Sequence, residues 1–119
     1  MKKNEICQIR DIYRAISTFE DKFSEKFDLS FNEAMLLCTL SKKESMTSGD
    51  IAVALDVAPS LASRIIRQLE SLGYLHRTLG IEDHRQMNFS ITESGTAKLQ
   101  AMKCGQCEIP DALKNLLVG

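Results

Sequence analysis

The chain has 119 residues, 44% of them hydrophobic and 26% charged, and a formal net charge of −1. That length suits one domain, and that mixture is the composition of an ordered globular protein rather than a disordered one. A near-zero charge also excludes a bulk electrostatic footprint for nucleic acid, so any polyanionic partner has to be met by local placement of cations.

The longest apolar runs, such as residues 34–37, are far too short to span a bilayer, and Met1-Lys2-Lys3-Asn4 lacks the apolar core of a signal peptide. The expectation is a cytoplasmic protein with no membrane contact, whose four cysteines are mostly reduced thiols.

Over residues 4–26, Ile6, Ile9, Ile12, Tyr13, Ile16, Phe19 and Phe23 follow three- and four-residue steps among Lys, Arg, Glu and Asp, which predicts one long amphipathic helix. Its apolar stripe suits either a subunit interface or core packing, and the sequence leaves both open. Asp28 and Leu29 break the pattern. Ser30-Phe31-Asn32-Glu33 reads as a capping box, opening a helix to about Leu40 that buries Phe31, Met35, Leu36 and Leu40, with Cys38 as a small buried hydrophobe.

Residues 41–46 are polar and lysine-bearing, hence a loop. Thr47 or Ser48 caps the next helix, residues 48–55, with Asp50 in its first turn and Ile51, Ala52 and Leu55 on its buried side. Asp56-Val57-Ala58 makes a turn. Pro59 then opens a helix to about Leu72, its fixed φ suiting the first helical position. Leu61, Ile65, Leu69 and Leu72 form a buried stripe along it, while Ser60, Ser63, Arg64 and Arg67 recur at i, i+3, i+4 and i+7 on another face. Two helices joined so tightly form a helix-turn-helix, whose second helix places its N-terminal side chains in the major groove.

Gly73 is placed as the left-handed residue ending that helix. Residues 74–79 and 86–91 each alternate, predicting two antiparallel strands whose loop, residues 80–85, carries Asp83, His84 and Arg85. Thr92 caps a helix to about Cys104, and Pro110 opens a final short helix bearing Leu113, Leu116 and Leu117. The expected fold is therefore mainly α with a small β-hairpin wing, a winged helix-turn-helix with flanking helices.

Within residues 47–95, four arginines and no lysine stand against six acids, a net excess of two negative charges. The arginines sit on the reading helix and the wing, and hydroxyls and backbone N–H groups also contact phosphate, so DNA binding of modest affinity and steep salt dependence is expected. The alternative is a winged-helix module for protein–protein contact without DNA binding. An enzyme is the poorest fit, because neither histidine has a neighbouring nucleophile and orienting acid.

The run from Leu29 to Leu99 resembles the MarR family of bacterial transcriptional regulators. The likeness rests on Asp50-Ile51-Ala52 with Leu55, on Pro59-Ser60 followed by Ser63-Arg64, Leu69-Glu70 and Leu72-Gly73, and on Asp83-His84-Arg85 followed by Ile91-Thr92-Glu93-Ser94-Gly95. The resemblance implies a homodimer gripping a pseudo-palindromic duplex operator, usually to repress, with release by a small aromatic acid or by thiol oxidation. It places Ser60, Ser63 and Arg64 on base edges and phosphates, Arg67 on phosphate, and Arg85 in the minor groove with Asp83 orienting it. The implied plan is an N-terminal dimerisation helix (1–28), a winged helix-turn-helix DNA-binding domain (29–95) and C-terminal dimerisation helices (96–119) in one compact body. The likeness departs at the C-terminal end, where about ten residues follow Pro110 in place of the long helix of that family.

Cys104-Gly105-Gln106-Cys107 remains. Such a pair is half a zinc site or a redox pair, yet no companion ligand spacing and no βαβ pattern accompanies it, so neither metal nor cofactor is expected. Cys7, Cys104 and Cys107 are candidate oxidant-sensing thiols, with inert structural cysteines as the alternative.

Overall fold

The computed structural model describes residues 3–80, 86–105 and 107–117. In chain order the elements are α1 (Lys3–Phe27), α2 (Phe31–Leu40), β1 (Met46–Thr47), α3 (Ser48–Leu55), α4 (Pro59–Ser71), β2 (Leu75–Leu79), β3 (Met87–Ile91), α5 (Glu93–Cys104) and α6 (Asp111–Lys114). They fall into two compact units, Met1–Phe31 with Gln106–Gly119, and Asn32–Gly105. The plan read from sequence cuts at 28 and 95, whereas here α5 stays with the hairpin. The reason is local: the Thr92 N–H donates to the Tyr74 carbonyl at 3.0 Å, tying the start of α5 to the turn before β2.

In the first unit, α1 is the long amphipathic helix that its periodicity predicts. The Asp28 N–H still donates to the Ser24 carbonyl, and Asp28 then takes a left-handed φ of 59°, which ends the helix. Phe23 and Phe27 are buried, and Phe23 packs edge-on against Phe31 with ring centroids 5.2 Å apart. Toward the other end of the same stripe Ile6, Ile9, Tyr13 and Ile16 are exposed, Tyr13 by 74%. Leu116 and Leu117 follow α6 and are exposed as well. An apolar groove of about 420 Å³ lies between Ile16, Phe19, Phe31, Ile109 and Leu113.

In the second unit Leu36, Leu37 and Leu40 of α2, Ile51 of α3 and Leu69 of α4 are fully buried, each side chain stabilising the core by roughly 1.5–3 kcal/mol. Three antiparallel strands lie in the order β1-β3-β2. The loop expected at 41–46 thus ends in a strand: Met46 pairs with Phe89 and Thr47 with Asn88, and the Ser90 hydroxyl donates to the Glu44 carbonyl at 3.0 Å. Two residues of sequence carry no alternation to read, and β1 exists because β3 offers a second edge.

Burial corrects several sequence assignments. On α2 the buried places belong to Ala34, Leu36, Leu37 and Leu40, while Phe31, Met35 and Cys38 are half-buried; a helix apolar on most sides does not reveal which side faces inward. On α4 the buried face is Ala62, Ile65, Ile66 and Leu69, with Leu61 half-buried. Leu72 is 43% exposed because it is the C-cap, where the chain already turns away. Leu55 is half-buried. Among the described residues no helix is long and apolar enough to cross a membrane.

Candidate nucleic-acid interface

The helix-turn-helix is assembled by local chemistry at each joint. Thr47 caps α3: its hydroxyl accepts from the Asp50 N–H at 3.1 Å while the Asp50 carboxylate accepts from the Thr47 N–H at 3.4 Å. Asp56 closes α3 in the left-handed region with φ 55°, and the Val57 N–H donates to the Ala52 carbonyl at 3.1 Å. The extended backbone of Ala58 leads into Pro59 at the start of α4. Proline has no N–H to leave unsatisfied there.

At the far end of α4 the Tyr74 N–H donates to the Leu69 carbonyl and the Gly73 N–H to the Glu70 carbonyl, at 2.9 and 3.0 Å, with Gly73 at φ +79°. This pair of bonds is a Schellman motif, and the left-handed glycine it needs is the one expected from sequence. Thr92 completes the frame: its hydroxyl donates to the Gly73 carbonyl at 2.6 Å and accepts from the Gly95 N–H at 3.0 Å. A Cβ on Gly95 would collide with the Tyr74 carbonyl oxygen and lie 2.8 Å from Ile91 Cγ1, so the close approach of α5 to the turn requires glycine. The Ile91-Thr92-x-x-Gly95 run singled out in the sequence therefore holds the wing strands, α4 and α5 together.

With Ala62, Ile65, Ile66 and Leu69 turned inward, Ser60, Ser63, Arg64 and Arg67 are all exposed on the opposite side of α4. Among the described residues Arg64 and Arg67 have no ion-pair partner. Asp83 and Arg85, the expected wing contacts, lie outside the described residues, as does His84. The strands that carry that loop pair in register from Leu75↔Ile91 to Leu79↔Met87.

Arg77 and its surroundings escape a reading of sequence periodicity. Arg77 on β2 sits opposite Phe89 on β3, with its guanidinium carbon 5.7 Å from the ring centroid, and it reaches Glu70 of α4 through Nε and Nη2 at 2.8 and 2.5 Å. These hydrogen bonds hold the Glu70 carboxyl below its ordinary value, outweighing the opposing effect of burial, and the ionised Glu70 in turn raises Arg77. Beside this pair, Ser48, Ser63, Arg67, Arg77, Met87 and Phe89 surround an open notch of about 400 Å³. A helix–strand ion pair seven residues apart has no periodic signature, and the only signal available was an arginine placed across from an aromatic residue in the alternation.

All four cysteines are free; Cys7 and Cys104 are exposed, Cys38 and Cys107 half-buried. Cys104 closes α5 in the second unit and Cys107 belongs to the first. Among the described residues no three His, Cys, Asp or Glu side chains converge on a metal-sized site.

The MarR family model matches residues 29–87. Over 75 residues the chain is 31% identical to an HTH-type transcriptional regulator of Mycobacterium tuberculosis, covering 63% of this chain and 52% of that protein. It is 27% identical over 82 residues to the HTH-type transcriptional repressor MdtR of Bacillus subtilis, covering 69% of this chain and 53% of the repressor. The chain thus spans about half the length of the curated relatives it matches. Among solved structures, S. aureus MepR in its DNA complex matches with a TM-score of 0.65 at 27% identity, over 80% of this chain and 78% of that one. BldR of Sulfolobus solfataricus, at 24% identity, shares the fold with a TM-score of 0.74 over 98% of this chain and 82% of its own. The matched segment contains the helix-turn-helix and the strand that leads into the wing, and the architecture around it is that of the winged-helix structures: this chain belongs to the MarR family.

Proposed function

We propose that this chain is a transcriptional regulator that binds double-stranded DNA as a homodimer, with α4 in the major groove and the wing over the flanking minor groove. The observation that carries this reading is the exposed face of α4, where Ser60, Ser63, Arg64 and Arg67 project together from the second helix of a helix-turn-helix. The DNA complex of MepR supports it by likeness. Asp83 and Arg85 supply the minor-groove contact, where a narrow A·T-rich segment concentrates negative potential.

The exposed row Ile6, Ile9, Tyr13 and Ile16 on α1 supports self-association, since a stripe of this size on a helix is rarely left to water. In this reading residues 1–28 and 96–119 dimerise and residues 29–95 read DNA. Repression is the expected outcome, as the name of MdtR states for that relative. Release follows from a small aromatic acid or from oxidation at Cys7, Cys104 or Cys107; the exposure of Cys7 and Cys104 favours access by an oxidant.

The net excess of two acids over residues 47–95 favours a second reading, a winged-helix adaptor that docks a protein through the same face. A salt series of binding to the DNA flanking the protein's own gene separates the two. Specific binding whose log affinity falls linearly with log salt is the expected result. No binding above a random duplex at low salt would move the adaptor to first place.

A further inference from the structure

We propose that the notch between the start of α3, α4 and the wing strands is a built seat for one backbone phosphate of bound duplex DNA, with Arg67 and Arg77 as its cations and Ser48 and Ser63 as its neutral donors. This rests on the DNA-binding reading and adds to it three residues, Ser48, Arg77 and Glu70, that no sequence motif singled out for contact.

The Arg77 guanidinium carries five N–H donors in a planar fork with two bidentate edges. Glu70 occupies the Nε/Nη2 edge, the Nη1/Nη2 edge has no partner among the described residues, and the Arg77 side chain remains 49% exposed. Phe89 below and Glu70 beside the guanidinium fix its orientation before any ligand arrives. An arginine already held in place loses less rotamer freedom on binding than a free one.

Charge balance points to a phosphodiester. Arg67, Arg77 and Glu70 together carry one positive charge, the complement of one backbone phosphate. Arg67 lies three residues before Glu70 on α4, so it flanks the same mouth. Ile66, Met87 and Phe89 share the lining, and apolar neighbours strengthen an ionic contact. Ser48 and Ser63 are exposed residues of the same lining. Glu70 is a positioning residue here, aiming Arg77 without touching the phosphate.

The test is fluorescence anisotropy with the full chain and a short labelled duplex of arbitrary sequence, over a salt series from about 50 to 200 mM. Phosphate contacts ignore sequence, so no operator is needed. Each lost phosphate contact makes the log–log salt slope about 0.9 shallower, so Arg77→Gln should flatten it by about 1.8 in a dimer with both copies engaged. Arg77→Lys keeps the charge and should keep the wild-type slope while binding more weakly, because a point charge replaces the fork. Arg67→Gln, which removes no ion pair seen among the described residues, should flatten the slope as Arg77→Gln does and guards against a folding defect in the latter.

A wild-type slope in Arg77→Gln would overturn the seat and leave the DNA reading intact. Absence of duplex binding by the wild type at the lowest salt would overturn both.

Discussion

Arg77 of β2 and Glu70 of α4 meet in a two-pronged ion pair, with Nε–Oε2 at 2.8 Å and Nη2–Oε1 at 2.5 Å, that fastens the wing strands to the last turns of the reading helix. The contact ties together the two elements that the proposed function brings to DNA at once. A loose wing would forfeit part of the binding energy to ordering, and this pair removes one source of that looseness.

The pair has a pH signature. Hydrogen bonds from Arg77 lower the Glu70 carboxyl in the folded state, so its stabilisation is fully present above the ordinary glutamate value of about 4.3 and fades as pH falls through the lower folded value. Denaturant midpoints should therefore hold level from neutral pH to about pH 5 and decline in acid. Arg77→Gln should show a shallower acid decline than the wild type. Equal declines would mean that the ion pair contributes nothing to stability.

Gly95→Ala should destabilise the fold by about 1–3 kcal/mol, because the new methyl meets the Tyr74 carbonyl oxygen and Ile91 and neither is the free end of a flexible chain. Thermal melting reads this as a drop of several degrees in Tm. An unchanged Tm would show that α5 can slide away from the turn without loss.

Thr92→Val keeps the shape of the side chain and removes both hydroxyl bonds, to the Gly73 carbonyl and from the Gly95 N–H. A loss of about 1 kcal/mol or more is expected from the cap alone. Thr92→Ser retains the hydroxyl and should stay close to wild type in the same denaturation experiment.

Arg64→Ala should leave the melting temperature unchanged, since Arg64 is exposed and has no ion-pair partner among the described residues. Operator affinity should fall by about 1–3 kcal/mol, the worth of one good base contact. Arg85→Ala should weaken binding most on sites with A·T-rich flanks. An adaptor that docks proteins would show no DNA affinity to lose in either variant.

Ile9→Glu combined with Tyr13→Glu tests the α1 stripe. Both side chains are more than half exposed in the single chain, at 56% and 74%, so the fold itself should tolerate the change. Sedimentation at fixed concentration should shift from dimer to monomer, with DNA affinity falling in parallel. A dimer that survives both glutamates would place the interface elsewhere.

Much of the fold is written in single residues whose backbone chemistry admits few alternatives. Pro59 marks the start of α4, Gly73 its end, and Thr92 the start of α5, and each stands in the structure where the sequence put it. The polar face of α4 was equally legible, because helical periodicity sorts Ser60, Ser63, Arg64 and Arg67 from Ile65 and Leu69 without reference to anything distant. The antiparallel pairing of the wing strands was legible too, and what failed were particular judgements of burial and pairing that needed a distant neighbour. Leu72 looks like the last rung of a buried stripe and is exposed at the C-cap, and Met46-Thr47 looks like the end of a loop and is a strand.

The sequence by itself thus determined the order of helices and strands, the punctuation between them and which side of α4 is polar, since those follow from φ preferences, capping groups and a repeat of 3.6 residues. Only the tertiary structure decided that Arg77 reaches Glu70 across a turn, that β3 has a second edge partner, and that Gly95 is required by a carbonyl on Tyr74. These relationships join side chains and backbone that local rules treat separately, and they exist only once packing has brought the elements within a few ångströms of one another.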